Sequence, residues 1–224
     1  MSRHTRTTPS DGGTRATRWL SALLAATWLV TTAVAVRAGE LALGTSLLLT
    51  DELTTPVLRL GIVPTFLTDD GVPYGGVAGG ELWRVVTGHL LHLDLLHLAG
   101  NVVALVVLGG AWERRVGALG LLVTFTAGCL GGALLVLLVS PPWTVVVGAS
   151  GGVFGILAAL VASALRGHRP GTLAVVVGSA YVAGAVLLPN NDAIHLGGLV
   201  GGGLVGVALA ARSGRGARGG RTAP

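Results

Sequence analysis

The chain is poor in charge, in cysteine and in aromatic side chains. Of its 224 residues only 11% are charged and 4% are aromatic, a single cysteine occurs, and every basic residue is an arginine. Soluble domains carry about 25% charged residues, so the composition excludes an ordinary soluble fold. The lone Cys129 lies within an apolar run, which excludes both an internal disulfide framework and a cysteine-based metal site.

Long apolar runs take the place of the missing charge. The chain is 51% hydrophobic and its mean hydropathy is +0.75. Runs of roughly 18 or more nearly uncharged residues predict membrane-spanning helices. Six occur, at about residues 19–36, 93–112, 117–139, 145–165, 171–188 and 193–211. The sequence therefore predicts an all-α polytopic membrane protein with a six-helix membrane domain over residues 19–211.

The distribution of arginine predicts how this domain is oriented. With the N-terminus inside, twelve arginines fall on the inner side: Arg3, Arg6, Arg15, Arg18, Arg114, Arg115, Arg166, Arg169, Arg212, Arg215, Arg218 and Arg221. The outer side receives only Arg37, Arg59 and Arg84. Positive charge is retained on the cytoplasmic side of membranes. We therefore expect a multi-pass protein of the plasma membrane with cytoplasmic tails at 1–18 and 212–224.

Two segments allow a second interpretation. The net charge of +5 and the Arg/Gly-rich tail could indicate RNA or anionic lipid as a partner, but a disordered cytoplasmic tail is favoured and nucleic acid is not expected. The first span, with "AVA" at Ala33–Ala35, resembles a cleavable signal peptide. Its apolar stretch is longer than usual for a signal peptide, which favours a retained helix.

A long outer segment, residues 37–92, separates the first two spans. It holds six acidic residues and apolar patches such as "SLLLT" and "VLRLGIVP". These patches are too short to span a membrane. They predict short interfacial helices separated by Gly/Pro turns.

Polar residues within the spans are the functional candidates, because ionisable groups in hydrocarbon are costly. The second span opens with "HLLHLDLLHLAGN", which contains His89, His92, His97 and Asn101. The fourth contains Ser150, and the sixth contains His195. Ser150 precedes Arg166 by 16 residues, or about 24 Å at the helical rise.

The two histidines lie at a similar height. His195 precedes Arg212, and His97 precedes Arg114, by 17 residues each, which is about 25 Å. Asn101, one turn below His97, lies at about 20 Å. Three spans thus bring polar groups to one layer of a ~30 Å core, which predicts a single site.

Serine and histidine at the same depth form a possible nucleophile and general base. No Asp or Glu lies deep in the spans near this layer, so a Ser150–His195 dyad is favoured over a triad. His97, Asn101 and the backbone N–H of Ser150 could stabilise an oxyanion. Three imidazoles, from His92, His97 and His195, could instead hold zinc. That alternative is disfavoured because no carboxylate or Glu-x-x-His pattern accompanies them, so neither metal nor cofactor is expected.

Glycines beside the candidate residues predict close helix contacts. Gly151, Gly152 and Gly155 follow the serine, and Gly198 and Gly202 follow His195 at three and seven residues. Small residues let membrane helices approach closely, as a hydrogen-bonded dyad would require.

In family order, these motifs resemble the rhomboid family of intramembrane serine proteases. "WR" at Trp83–Arg84 is similar to its loop signature, "HLDLLHLAGN" reads as His-x4-His-x3-Asn, "GASG" (Gly148–Gly151) as Gly-x-Ser-Gly, and "HLGGLVGG" as His-x2-Gly-x3-Gly. Two positions depart from the pattern. Ile194 stands where the family often has a small residue before the histidine, and Phe154 stands where an aromatic residue, often tyrosine, packs on the catalytic imidazole. Phenylalanine keeps the ring and lacks the hydroxyl.

The resemblance implies a rhomboid-like bundle that cleaves single-pass membrane proteins near the outer end of their spanning helix. It also implies an acyl-enzyme, no metal or nucleotide, and a preference for small residues at the cleaved position. Membrane lipid is an expected partner, and self-association is left open. An inactive rhomboid-like scaffold that binds membrane helices is the alternative, and a small transporter ranks last.

Overall fold

A computed structural model describes residues 13–41, 53–67, 73–187 and 192–219, with side chains described as far as residue 211 at the C-terminal end. The "SLLLT" patch, most of the N-terminal tail and the last residues of the chain lie outside this range. The interfacial helix expected at that patch therefore stays a prediction.

The described chain is almost entirely helical. In chain order its elements are α1 (Arg15–Arg37), α2 (Thr55–Leu60), β1 (Phe66–Leu67), β2 (Pro73–Gly75), α3 (Arg84–Thr87), a 3-10 turn (Gly88–Leu90), α4 (Leu95–Ala104), a π-helical turn (Leu105–Gly109), α5 (Gly110–Val139), α6 (Ser150–Ala164), α7 (Thr172–Leu187) and α8 (Asp192–Gly219). Three helical runs are long and apolar enough to cross a membrane: Arg15–Arg37, Leu95–Val139 and Asp192–Ala211. The apolar helices α6 and α7 are shorter.

The 45-residue run Leu95–Val139 reverses direction at Gly117. This glycine has φ 76° and ψ 174°, which no residue within a helix adopts. Trp112 and Thr124 lie on opposite sides of this glycine, and the Trp112 indole N–H donates to the Thr124 hydroxyl at 2.9 Å. Twelve residues of straight helix would separate these groups by about 18 Å. The run therefore consists of two antiparallel arms, residues 95–116 and 118–139.

Three details of the structure differ from the elements and boundaries that the sequence predicts. The outer segment contains a two-stranded antiparallel sheet, β1–β2, because its Pro- and Gly-containing stretches favour turns over helix. The fourth apolar run is helical only from Ser150, because Gly148 has a positive φ of 117°. The last helix continues past residue 211 to Gly219, since no proline interrupts it.

Glycine backbones bring α5, α6 and α8 into direct contact. A Cβ added at Gly128 would lie 2.6 Å from the carbonyl oxygen of Gly151, and one at Gly202 would overlap the Cα of Gly155. Without a hydrophobic drive between helices in lipid, such close van der Waals packing is what holds them together. These three helices form the centre of the bundle.

The first helix is attached to this centre through a buried carboxylate. Glu113 accepts hydrogen bonds from the backbone N–H groups of Ala16 and Thr17, both at 2.9 Å, and from the Thr17 hydroxyl at 2.7 Å. The first N–H groups of a helix have no partner within it. Glu113 therefore caps α1 from a neighbouring helix and complements its positive end.

The glycine contact gives a stability prediction. Gly202→Ala should force α6 and α8 apart and lower the thermal unfolding temperature in detergent, at an overpacking cost of about 1–3 kcal/mol. Gly184→Ala is the matched control, because a Cβ there meets nothing within 4 Å and alanine favours helix. Equal unfolding temperatures for the two variants would contradict a tight α6–α8 contact.

Candidate active site

A serine and a histidine from two central helices meet in the bundle. Ser150 is the first residue of α6 and His195 lies in the first turn of α8. The His195 Nε2 is 3.1 Å from the Ser150 Oγ, which is hydrogen-bond distance. The Ser150 side chain is buried, and the His195 Nδ1 is buried without a hydrogen-bond partner among the described residues. The pair is therefore geometrically able to pass a proton from hydroxyl to imidazole.

Ser150 begins its helix because the residues before it are extended. Val146 exchanges two backbone hydrogen bonds of 2.9 Å with Ile62 of the outer segment, forming an isolated antiparallel bridge. The chain enters α6 only after this bridge, at the N-cap Ala149. N–H groups of a first turn have no intrahelical acceptor, so those beside the Ser150 Oγ are available to a ligand and carry the positive end of the helix dipole.

Gly148 forms the wall of the site next to His97. Its N–H donates to the Gly88 carbonyl at 2.9 Å, and its own carbonyl lies 3.2 Å from His89 Nδ1. Since a carbonyl can only accept, His89 must carry its proton on Nδ1. A Cβ added at Gly148 would lie 2.8 Å from the His97 ring and 4.0 Å from the Asn101 amide nitrogen. Without a Cβ, the Gly148 backbone can pack directly against the His97 ring, close to the Asn101 amide.

Asn101 is buried one turn after His97 on α4. Its Nδ2 donates to the His97 carbonyl at 2.9 Å, and its Oδ1 accepts from the Tyr181 hydroxyl at 2.8 Å. The helix that carries both residues starts at Asp94, whose carboxylate caps the His97 N–H at 2.7 Å. A cap of this kind fixes the first turn, and with it the position of the His97 side chain.

Aromatic rings support both histidines. The Phe154 ring centroid is 4.5 Å from that of His195, at an interplanar angle of 34°. The His92 and His97 rings meet edge to face at 5.0 Å. Phe154 and His92 are buried. Phe154 therefore restricts the orientation of an imidazole whose Nδ1 has no carboxylate partner in the described chain.

Four of the predicted glycines, Gly151, Gly155, Gly198 and Gly202, lie where α6 and α8 cross, whereas Gly152 faces the Phe125 ring of α5. A Cβ at Gly198 would overlap the Gly151 carbonyl oxygen, just as one at Gly202 would overlap the Gly155 backbone. The Gly198–Gly151 contact lies within one helical turn of Ser150 and His195, and the Gly202–Gly155 contact lies within two turns of them. Close backbone approach therefore brings these two side chains within hydrogen-bond distance.

Trp83 and Arg84 lie in the outer segment and do not contact the Ser150–His195 pair. Trp83 is exposed, whereas Arg84 is only 4% exposed. The Arg84 guanidinium donates to the carbonyls of Leu58 and Gly61, at 2.8 and 3.0 Å, and to the Glu81 carboxylate at 2.6 Å. This hydrogen bond lowers the pKa of Glu81. The interaction is therefore present at neutral pH, and its stabilising effect is lost as the pH falls through that lowered pKa.

No metal centre is formed by the residues that the structure describes. Among them, no three His, Cys, Asp or Glu side chains converge as metal ligands would. The expectation of a metal-free and cofactor-free protein stays a prediction.

Sequence reasoning missed two residues that the fold brings to the site. His89 is the first residue of the histidine-rich stretch, but nothing in its spacing indicates a contact with Gly148. Tyr181 lies in an apolar run with no motif around it, and its contact with Asn101 joins residues 80 positions apart. Only the polarity of a tyrosine inside a span could have drawn attention to it.

The fold and the site define an integral membrane protein with a buried serine–histidine pair inside a helical bundle. Comparison with known families agrees with this class. The family description "Rhomboid domain" matches residues 79–212, which is more than half of the chain and includes every residue of the site. The chain belongs to the rhomboid family.

Curated relatives are similar over the same region. The chain is 34% identical over 139 residues to "Rhomboid protease GluP" of Bacillus subtilis, covering 59% of this chain and 27% of that protein. It is 40% identical over 82 residues to "Rhomboid-like protease 3" of Toxoplasma gondii, covering 37% and 31%. It is 35% identical over 98 residues to "Rhomboid protease GlpG" of Enterobacter sp. (strain 638), covering 43% and 33%. The matches span about a third or less of each of these relatives.

Gly148 provides a test of the site's geometry. Gly148→Ala should lower the unfolding temperature more than Gly167→Ala does. Both glycines have a positive φ, but a Cβ at Gly167 meets nothing within 4 Å. The control therefore shows only the backbone strain of about 1–3 kcal/mol, and the excess at Gly148 measures the collision with His97. Equal losses would mean that His97 does not pack against Gly148.

Proposed function

We propose that the chain is an intramembrane serine endopeptidase, with Ser150 as nucleophile and His195 as general base and acid. The observation that carries this proposal is the 3.1 Å separation of His195 Nε2 and Ser150 Oγ within a rhomboid-family fold. The named relatives that are rhomboid proteases support the same reaction class.

The first half of the reaction forms an acyl-enzyme. The Ser150 Oγ attacks the carbonyl carbon of the scissile peptide while its proton passes to His195 Nε2. The resulting oxyanion is stabilised by the Ser150 N–H, by the Asn101 side-chain amide and by His97, which border the space beside Gly148. When the intermediate collapses, the C–N bond breaks and His195 returns the proton to the leaving amine. The N-terminal part of the substrate is then esterified to Ser150.

Hydrolysis repeats these steps with water as the nucleophile. His195 accepts a proton from water as its oxygen attacks the ester carbonyl, and a second oxyanion forms in the same place. Collapse breaks the ester bond, and His195 protonates the Ser150 oxygen. The products are a new amine and a new carboxylate, and the protein returns to its starting state.

The proposed topology has six spans with both tails in the cytoplasm. The reversal at Gly117 supports two spans within Leu95–Val139, and α1, α6, α7 and α8 supply the others. The central helix α6 has 15 residues and is thus about 22 Å long, shorter than the ~30 Å hydrocarbon core. With its C-terminal end near the inner arginines, Ser150 lies inside the core, below its outer edge. This depth suits single-pass membrane proteins of the plasma membrane as substrates.

The dyad is tested with the full chain reconstituted in liposomes. Ser150→Ala and His195→Ala should abolish both labelling by a fluorophosphonate probe and cleavage of a single-pass test protein. Ser163→Ala, at the far end of the same helix, and His168→Ala, outside the bundle, are matched controls that should retain activity. Undiminished cleavage by Ser150→Ala would refute the proposal. Helix binding without labelling in the wild type would favour an inactive scaffold.

Asn101→Ala tests the oxyanion contribution. Removing one oxyanion donor should lower kcat by about 10²–10³-fold with little change in KM, because the interaction forms only in the transition state. The measurement is steady-state cleavage by protein whose fold is verified by its unfolding temperature. A change in KM alone would remove Asn101 from this role.

The position of the cut tests the proposed depth. Mass spectrometry of the fragments should place the cleaved bond near the outer end of the substrate's spanning helix. A helix hides its carbonyls in hydrogen bonds, so a Gly pair next to the cleaved bond should raise the rate over an Ala pair. Cleavage in the inner half of the substrate helix, or in its aqueous segment, would contradict this depth.

A further inference from the structure

Helix α7 reaches the site through one polar side chain. Only Ala174 and Gly178 of this helix are classed as buried, so most of its surface faces away from the bundle. Tyr181 is the residue of α7 that bonds to α4, because its hydroxyl donates to the Asn101 Oδ1. A helix with only two buried residues thus contacts a residue of the proposed oxyanion site.

The hydrogen bonds around Asn101 fix which way its amide faces. The His97 carbonyl can only accept, so the group 2.9 Å from it must be the Nδ2 of Asn101. The Oδ1 then faces Tyr181, and the tyrosine must be the donor. Rotating the amide by 180° would place the Asn101 Oδ1 against the His97 carbonyl oxygen, and both of these oxygens can only accept hydrogen bonds. With one Nδ2 proton bonded to the His97 carbonyl, the second remains for another acceptor near Gly148, where an added Cβ would lie 4.0 Å from that nitrogen.

Tyr181 also contacts the support of the general base. Its ring lies 5.2 Å from the Phe154 ring, at an interplanar angle of 42°, and Phe154 in turn packs on His195. One side chain therefore contacts both the oxyanion residue and the ring that holds the imidazole.

We propose that Tyr181 is a positioning residue for the hydrolytic reaction: its hydroxyl holds the Asn101 amide so that the free N–H of Nδ2 faces the developing oxyanion. This inference rests on the proposed function of the Ser150–His195 pair. Without the hydroxyl, Asn101 loses the donor to its Oδ1, and its amide samples orientations that place no N–H at the oxyanion. The loss appears in the transition state and not in substrate binding.

Tyr181→Phe removes the hydroxyl and keeps the ring against Phe154. We expect kcat, and the rate of labelling by a fluorophosphonate, to fall about 3- to 10-fold with KM unchanged, as for one net hydrogen bond. Ser179→Ala is the matched control, because this exposed hydroxyl lies on the same helix and should leave both rates unchanged. Unfolding temperatures of all variants show whether the bundle is intact.

A double-mutant cycle distinguishes positioning from general support. If the hydroxyl acts through Asn101, adding Tyr181→Phe to Asn101→Ala should change the rate less than about twofold, since its target is gone. Equal slowing in both backgrounds, or wild-type rates for Tyr181→Phe, would overturn the inference and leave the proposed function standing. A wild-type chain that neither labels at Ser150 nor cleaves would overturn the proposed function, and the role of Tyr181 with it.

Discussion

Backbone contact between glycines of α5, α6 and α8 is the constraint on which the rest of the site depends. Membrane helices gain little from burying apolar side chains against one another, since lipid is equally apolar. Here the gain comes from atoms at van der Waals distance, for example where Gly202 faces Gly155 and Gly198 faces Gly151. Because backbones in contact cannot shift far, Ser150 and His195 are held together by the helices themselves. A third residue that orients the imidazole is less necessary when the helix and the Phe154 ring already restrict it.

The start of α6 determines both the proposed depth and the electrostatic surroundings of Ser150. A helix of 15 residues is shorter than the ~30 Å hydrocarbon core, so the proposed depth would suit a substrate helix and not a soluble loop. Its position at the first residue of the helix adds N–H groups without intrahelical acceptors. The same position explains Gly148: the chain must turn from an extended segment into a helix beside His97, where a side chain would collide.

Hydropathy and motif order predicted much of this architecture, because both depend on local sequence. The apolar runs predicted the long helices, and the helical rise predicted that Ser150, His195 and His97 lie at one height. What escaped prediction depends on contacts distant in sequence or on single backbone angles. The extended residues before Ser150 are as apolar as the helix after it, so hydropathy does not separate them. The hydrogen bond from Tyr181 to Asn101 crosses between α7 and α4, and no spacing rule within one helix could reveal it.

The outer segment is coupled to Ser150 through backbone hydrogen bonds, which gives the buried arginine of "WR" a physical role. Arg84 binds the carbonyls of Leu58 and Gly61 and so fixes the backbone just before Ile62. Ile62 pairs with Val146, and two residues later Gly148 donates to the Gly88 carbonyl. These bonds hold the segment before α6 in an extended conformation around Val146. Because that segment is not helical, Ser150 is the first residue of its helix. A guanidinium with several donors can bind two carbonyls and a carboxylate at once, whereas a lysine ammonium would lack this planar geometry. Arg84 thus contributes to the position of Ser150 through the backbone and not through a hydrogen bond to it.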